Sequence, residues 1–281
     1  MKEFSTIKSW YNQVIATHSL EERKNWYSDV AEAYNQVRPR YPRALIEKAV
    51  ELARLPNRAA LLEIGCGPGV ATIEFAQLGF SILGLEPSQP ACQLARQNCL
   101  AYPDVEFQNI LFEEWQLEEK RFQAAIAANA WHWIPSEIGY AKASAALQDG
   151  GYLILLWNLS PQLPYELYQE LERVYQVQSV SQVRYENRQQ QEEILHQFGQ
   201  DIINSGYFQN LVSEHLLCEI IYSIDDYLLL LTTLSAPYKL LKQSKREILF
   251  ADLRATLEKI CPDGVPISYI SAVQVAKKIN L

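Results

Sequence analysis

The chain is poor in the features that announce several large functional classes. Its 281 residues include five cysteines, at 66, 92, 99, 218 and 261, an odd and scattered set that makes no disulfide framework. No two of them stand at C-x₂-C spacing, so no thiolate-held zinc or iron–sulfur site is expected; with only Asn129, and no carboxylate cluster, at the end of the Phe122 to Ala128 run, no magnesium-type site is expected either. Positive charge is also scarce: 25 Lys and Arg against 33 Asp and Glu give a net charge of −8, with no basic run. Binding to nucleic acid rests on a concentrated basic surface, so such a partner is not expected. Long hydrophobic runs are missing. The longest, Tyr152 to Trp157 and Tyr227 to Leu231, fall far below the ~20 residues that span a bilayer. The opening residues Met1-Lys2-Glu3-Phe4-Ser5 lack the apolar core of a secretion signal. These absences point to a cytoplasmic protein with no membrane partner.

What the chain does have is glycine in one place. Three of its eleven glycines, Gly65, Gly67 and Gly69, fall within five residues, directly after the apolar run Ala59-Ala60-Leu61-Leu62-Glu63-Ile64. A buried strand breaking into such a loop lets backbone groups approach a nucleotide-like ligand, because glycine allows positive φ and has no Cβ. Val70 to Leu78 then carries apolar residues at helical spacing and stops at Gly79. A second apolar run, Ser81 to Leu85, ends in Glu86, where a ribose would lie.

Further strands and helices alternate down the chain. Val105 to Gln108 alternates as a strand, Phe122 to Ala128 reads as a buried strand, and Pro135 to Leu147 as a helix stopped by Asp149-Gly150-Gly151. Tyr152 to Asn158 is a fifth strand. This rhythm predicts an α/β fold, a doubly wound, mostly parallel seven-stranded sheet with ligands at the carboxyl ends of its strands. Residues 1 to 50 read as an amphipathic helical segment closing over the site, and 51 to 160 as the core. Residues 161 to 281 read as a helical lid plus the last strands: a polar helical stretch from Pro164 to Ser205, a strand from Leu211 to Tyr222, a Ser223-Ile224-Asp225-Asp226 helix start, a helix from Ser244 to Ile260, and a β-branched strand from Val265 to Val275.

Two adenosine-type ligands compete for the glycine loop. The dinucleotide fingerprint G-x-G-x-x-G wants a third glycine where Val70 stands. Here the third glycine comes one residue early, and Glu63 precedes the first by two. A pyrophosphate would avoid that carboxylate, whereas a cationic ligand gains from it. The stretch Glu63-Ile64-Gly65-Cys66-Gly67-Pro68-Gly69 resembles motif I of the class I S-adenosylmethionine-dependent methyltransferases, and is most similar to their type 11, trans-aconitate-methyltransferase-like small-molecule branch.

The resemblance extends over most of the chain and implies roles for particular residues. Glu63, Gly65 and Gly67 would form the cofactor loop, and Glu86 would accept from both ribose hydroxyls. Phe112-Glu113-Glu114-Trp115 is similar to the segment that holds adenine. With Leu111 where an acidic residue often stands, Leu111 and Phe112 would act as an apolar and backbone clamp. Asn129-Ala130-Trp131-His132-Trp133-Ile134 resembles the segment beside the transferred methyl group, with His132 placed as a catalytic general base and Asn129 near the methionine amino group. Tyr34-x-x-x-Arg38-Pro39-x-Tyr41-Pro42 is similar to another family segment, with Arg38 suited to the ligand carboxylate. Leu231 to Ser235 and Tyr269-Ile270-Ser271 would line the acceptor pocket. The implied activity is methyl transfer from S-adenosylmethionine to a small-molecule acceptor; an NAD-dependent oxidoreductase, a non-catalytic binding module and an RNA or protein methyltransferase are the rival readings.

Overall fold

The computed structural model describes residues 18–180, 185–234 and 241–280. The part of the N-terminal helical reading before residue 18, and Ser235, lie outside these residues. Five strands run parallel: β1 (Ala60–Ile64), β2 (Ser81–Leu85), β3 (Val105–Gln108), β4 (Phe122–Ala128) and β5 (Leu147–Asn158). With β6 (Phe208–Tyr222) and β7 (Val265–Lys278) they form one seven-stranded sheet in the order β3-β2-β1-β4-β5-β7-β6. β7 is antiparallel to both of its neighbours, so the sheet is mixed.

Central parallel strands are covered on both faces and therefore read as nearly continuous apolar runs. Their alternation feeds two cores. Leu62, Ile64, Leu83 and Leu85 join one with Trp157 and Ile270; Leu61, Ile82, Ile126 and Leu156 join the other with Phe75 and Ala49. The strand order reverses direction at β1, between β2 and β4. That is where an open sheet of this kind forms its crevice, outside the carboxyl ends of the strands.

Helices fill the layers. α1 (Leu20–Lys24), a short 3₁₀ turn at Ser28–Val30, α2 (Ala31–Val37) and α3 (Arg43–Leu52) precede the sheet. α4 (Val70–Gln77), α5 (Gln89–Asn98) and α6 (Ser136–Ala146) connect the parallel strands. Ser88 caps α5, its hydroxyl accepting from the Ala91 N–H. α7 (Tyr165–Val177), α8 (Arg188–Asn204), α9 (Ile224–Thr233) and α10 (Gln243–Ile260) lie between β5 and β7 in sequence. A third core belongs to the cap: Leu167 and Leu171 of α7, Leu231 of α9, and Leu249, Leu253 and Leu257 of α10 pack with Val37 of α2. The i, i+4, i+8 spacing on α10 puts its leucines on one stripe.

One expected boundary is corrected. Asp149-Gly150-Gly151 does not end a helix before a separate strand: α6 stops at Ala146 and β5 starts at Leu147. Leu147 pairs with Phe122 and Tyr152 with Ala124, so the residues between them bulge out of the ladder, with Gly150 at φ +78°. The described part of the polar stretch from Pro164 to Ser205 carries the two helices α7 and α8. Asn187 and Gln190 form a reciprocal capping box that starts α8. Among the described residues no helix is long and apolar enough to cross a membrane, and no group of three His, Cys, Asp or Glu is placed to hold a metal ion.

Candidate functional site

The glycine loop lies at the reversal point, and its three glycines serve different ends. Gly65 has φ +66°, and a Cβ there would stand 2.7 Å from the Ala130 Cβ. Gly67 has φ +55°, but a Cβ there would meet nothing within 4 Å. Gly69, at φ +85°, is the N-cap of α4 and packs against Ala95 of α5. So Gly65 is held by its neighbours, whereas Gly67 faces open space. Gly67 also belongs to the wall of a cleft open to solvent, with Tyr34, Arg38 and Tyr41 from the N-terminal segment, the rest of the Gly65–Pro68 loop, and Asn129 and Asn158 from the tips of β4 and β5.

Glu86 locks the loop. One carboxylate oxygen accepts from the Gly67 N–H and the other from the Ser88 N–H, both at 2.8 Å. The Asn109 amide donates to the Glu86 and Pro87 carbonyls, fixing the chain after β2. Glu86 is 7% exposed. Burial pushes its pKa up to about 7 against the opposing pull of the two backbone donors.

Glu63 is deeper, at 1% exposure. Its Oε2 accepts from the Thr72 hydroxyl at 2.6 Å, and its Oε1 has no hydrogen-bond partner among the described residues. Burial pushes its pKa up to about 8; the Thr72 hydrogen bond opposes this and the Glu86 charge adds to it.

Asn129 sits at φ +50° and joins β4 to β5 beyond the ladder. Its Nδ2 donates to the Asn158 carbonyl, and the Asn158 N–H donates to its Oδ1, at 2.8 and 2.7 Å. Asn158, which the sequence reading passed over, then donates from Nδ2 to the Pro39 carbonyl. Its buried Oδ1 has no partner among the described residues. The only hint in the sequence is its place as the last residue of a strand.

Arg38 lines the cleft but is partly engaged. Its Nε and Nη2 donate to the hydroxyl and carbonyl of Thr233 at 2.9 and 2.6 Å, and its guanidinium lies 4.8 Å from the centre of the Tyr34 ring. This ties the N-terminal segment to the end of α9. Other ties run alongside: Arg23 to Glu113 and to the Trp133 carbonyl, Lys24 to Glu114, and Ser28 to Ser88.

Leu111 and Phe112 are buried after β3, and neither is among the residues lining the cleft. Phe112 stacks on Trp115 at 6.2 Å between ring centres, with the Lys142 ammonium 5.4 Å from its ring.

His132, in a 3₁₀ turn at Trp131–Trp133, stacks on Trp157 at 5.7 Å and leans on Trp133 at 5.9 Å. Burial, with the Arg38 charge adding to it, pushes the imidazole pKa down to about 3. The ring is therefore neutral across physiological pH. Its ring resonances are expected not to titrate between pH 5 and 8. An NMR titration showing an inflection near 6.5 would refute this environment.

Residues 61–151 match the family described as a methyltransferase domain, a span that takes in the glycine loop, Glu86 and β4. Over 126 residues the chain is 27% identical to an uncharacterized methyltransferase of Mycobacterium tuberculosis, covering 45% of this chain and 49% of that protein. The chain spans about half the length of the curated relatives it matches. Among solved structures, an Anaeromyxobacter dehalogenans protein provisionally described as a type II methyltransferase superposes with a TM-score of 0.61 at 21% identity, over 85% of this chain and 97% of that one. Phosphoethanolamine N-methyltransferase 2 of Haemonchus contortus, solved with phosphomonomethylethanolamine and S-adenosylhomocysteine, gives 0.53 at 15% identity, over 92% of this chain and 59% of that one. The matched segment is thus similar to a methyltransferase domain, and the sheet has the fold of the solved methyltransferases it superposes on.

Proposed function

We propose that this chain is an S-adenosylmethionine-dependent methyltransferase acting on a small molecule, of the type 11, trans-aconitate-methyltransferase-like branch. The observation that carries the reading is the cleft at the sheet's reversal point, floored by a glycine loop that Glu86 holds shut. A ligand with a ribose and a zwitterionic tail finds matching partners there. Glu86 retains lone pairs to accept from ribose hydroxyls. The unpaired Oδ1 of Asn158 accepts from an ammonium. Arg38 has guanidinium protons beyond those given to Thr233 for a carboxylate. The family resemblance assigns an apolar edge for adenine to Leu111 and Phe112, which stand buried after β3 and outside the cleft walls.

When bound, S-adenosylmethionine supplies a methyl group already activated by a positively charged sulfur. The chain's own task is then alignment and exclusion of water. Orientation of that sort is worth ~7–11 kcal/mol in well-aligned cases. The N-terminal segment serves it by bridging the loops after β2 and β3 and the end of α9. His132, neutral and stacked, positions the acceptor side of the site and accepts a hydrogen bond. The net charge of −8 and the absence of a basic run favour a metabolite over RNA as the acceptor.

Thermal unfolding tests the reading. S-adenosylhomocysteine at a hundredfold excess over its dissociation constant should stabilise the protein by ~2.7 kcal/mol, and NAD should leave it unchanged. Stabilisation by NAD alone would overturn the proposal. Transfer of labelled methyl to protein or RNA, with none to metabolites, would overturn its small-molecule part.

A further inference from the structure

Glu63 is not needed to hold the glycine loop, which Glu86 does, and its setting is unusual for a carboxylate. Its Oε1 is buried with no hydrogen-bond partner among the described residues, and the Thr72 hydroxyl serves only Oε2. The ionisable groups around it are Tyr41 before α3, Cys66 in the loop, Glu86 at the end of β2 and Cys99 after α5. Its ladder neighbours are Gly84 and Ile126. No cation stands among them. A buried carboxylate in such company has two ways to avoid an uncompensated charge: it keeps a proton, or it receives a cation from a ligand. Tyr41 and Cys66, which sense the Glu63 charge, also line the cleft, so a ligand there is one side-chain layer away.

Resting on the proposed function, we infer that Glu63 is a charge-reading specificity residue: ionised when the sulfonium of S-adenosylmethionine occupies the cleft, protonated when the neutral thioether of S-adenosylhomocysteine does, and so favouring substrate over product. The two ligands share adenine, ribose, ammonium and carboxylate. They differ by one methyl group and one positive charge, and only that charge can discriminate through a carboxylate. The proton count closes over a turnover. Methyl transfer leaves the C–S bonding pair on sulfur, and the acceptor lone pair makes the new bond to carbon and gives up a proton. Glu63 takes one proton from solvent as the sulfonium charge disappears, and returns it when the next sulfonium binds. The unliganded carboxyl already holds its proton to about pH 8, so the exchange falls within the working range.

The ratio of the two dissociation constants isolates this effect, since every shared group cancels. With the whole chain in isothermal titration calorimetry, Kd for S-adenosylhomocysteine over Kd for S-adenosylmethionine should rise roughly tenfold from pH 6 to pH 9. Glu63→Gln should flatten that rise. Glu86→Gln should weaken both ligands together and keep it. The unmodified protein gives a second reading that needs no variant. Titrations in two buffers of different ionisation enthalpy at pH 7.5 should show more protons released by S-adenosylmethionine than by S-adenosylhomocysteine. A ratio independent of pH, or equal proton release, with both ligands binding, would overturn the inference. Failure of both ligands to bind would instead overturn the proposed function on which it rests.

Discussion

Gly65→Ala is expected to destabilise the protein by about 2–5 kcal/mol, while Gly67→Ala costs about 1–2 kcal/mol, although the two glycines stand two residues apart on one loop. Both adopt positive φ, so both substitutions carry the strain of a left-handed L-residue. Only Gly65 adds a collision, because its new Cβ would lie 2.7 Å from the Ala130 Cβ, in the turn that follows β4. For a chain of this length each kcal/mol moves the melting temperature by about 2–4 °C, so the first variant should lose roughly 4–20 °C and the second about 2–8 °C. Binding should divide them differently. The Gly67 Cβ would project into open space at the cleft, so its variant should fold yet lose tenfold or more in affinity for S-adenosylhomocysteine. Equal melting temperatures for the two variants would show that the loop relaxes around residue 65. Unchanged affinity in Gly67→Ala would place the ligand elsewhere.

That contrast also marks how far sequence reasoning reaches. The strand, glycine loop and helix from Ala60 to Gln77 were legible because their signals are local: apolar alternation, glycine where φ must be positive, and a helical period. Glu86 was legible by position, as the residue after the second strand. What local signals do not carry is the partner across the sheet. Asn129 and Asn158 make one structural unit, but they are 29 residues apart and meet only because β4 and β5 are neighbours. Arg38 reads as a ligand-binding cation; its bonds to Thr233 span 195 residues and depend on how the cap folds back. His132 reads as a base because histidine ordinarily titrates near neutrality. Its setting against Trp157 is a packing outcome, and the burial that comes with it pushes the imidazole pKa down, which no local signal carries. The bulge at Asp149-Gly150-Gly151 was mistaken for a helix stop for a related reason: glycines that end a helix and glycines that kink a strand look alike until the pairing with Phe122 and Ala124 is known. The start of α8 was available, since Asn187-x-x-Gln190 is a capping signature in plain sequence.

Glu86 carries the largest expected loss of binding. Alanine there removes the acceptor for two backbone N–H groups, those of Gly67 and Ser88, and an unpaired buried donor costs ~1–3 kcal/mol. The Gly67 N–H belongs to the loop proposed to meet the ligand, so the free loop should sample other conformations, and affinity for S-adenosylhomocysteine should fall on the order of a hundredfold. Glutamine is the sharper variant, because it keeps the volume and one accepting oxygen but turns an NH₂ toward a second donor. It also removes an ionisable group, which predicts a pH signature. The folded pKa, about 7, is raised above the ordinary carboxylate value, so the folded protein holds the proton more tightly than the unfolded chain. Stability is then full below the unfolded pKa and is lost as pH rises through the folded one. Thermal unfolding of the unliganded protein should show stability falling from pH 5 to pH 8, with Glu63 contributing in the same direction. Glu86→Gln should flatten part of that slope while lowering affinity at every pH. A variant with weak binding and an unchanged slope would mean that Glu86 is already ionised in the folded protein; intact binding would mean that its bond to the Gly67 N–H does not shape the site.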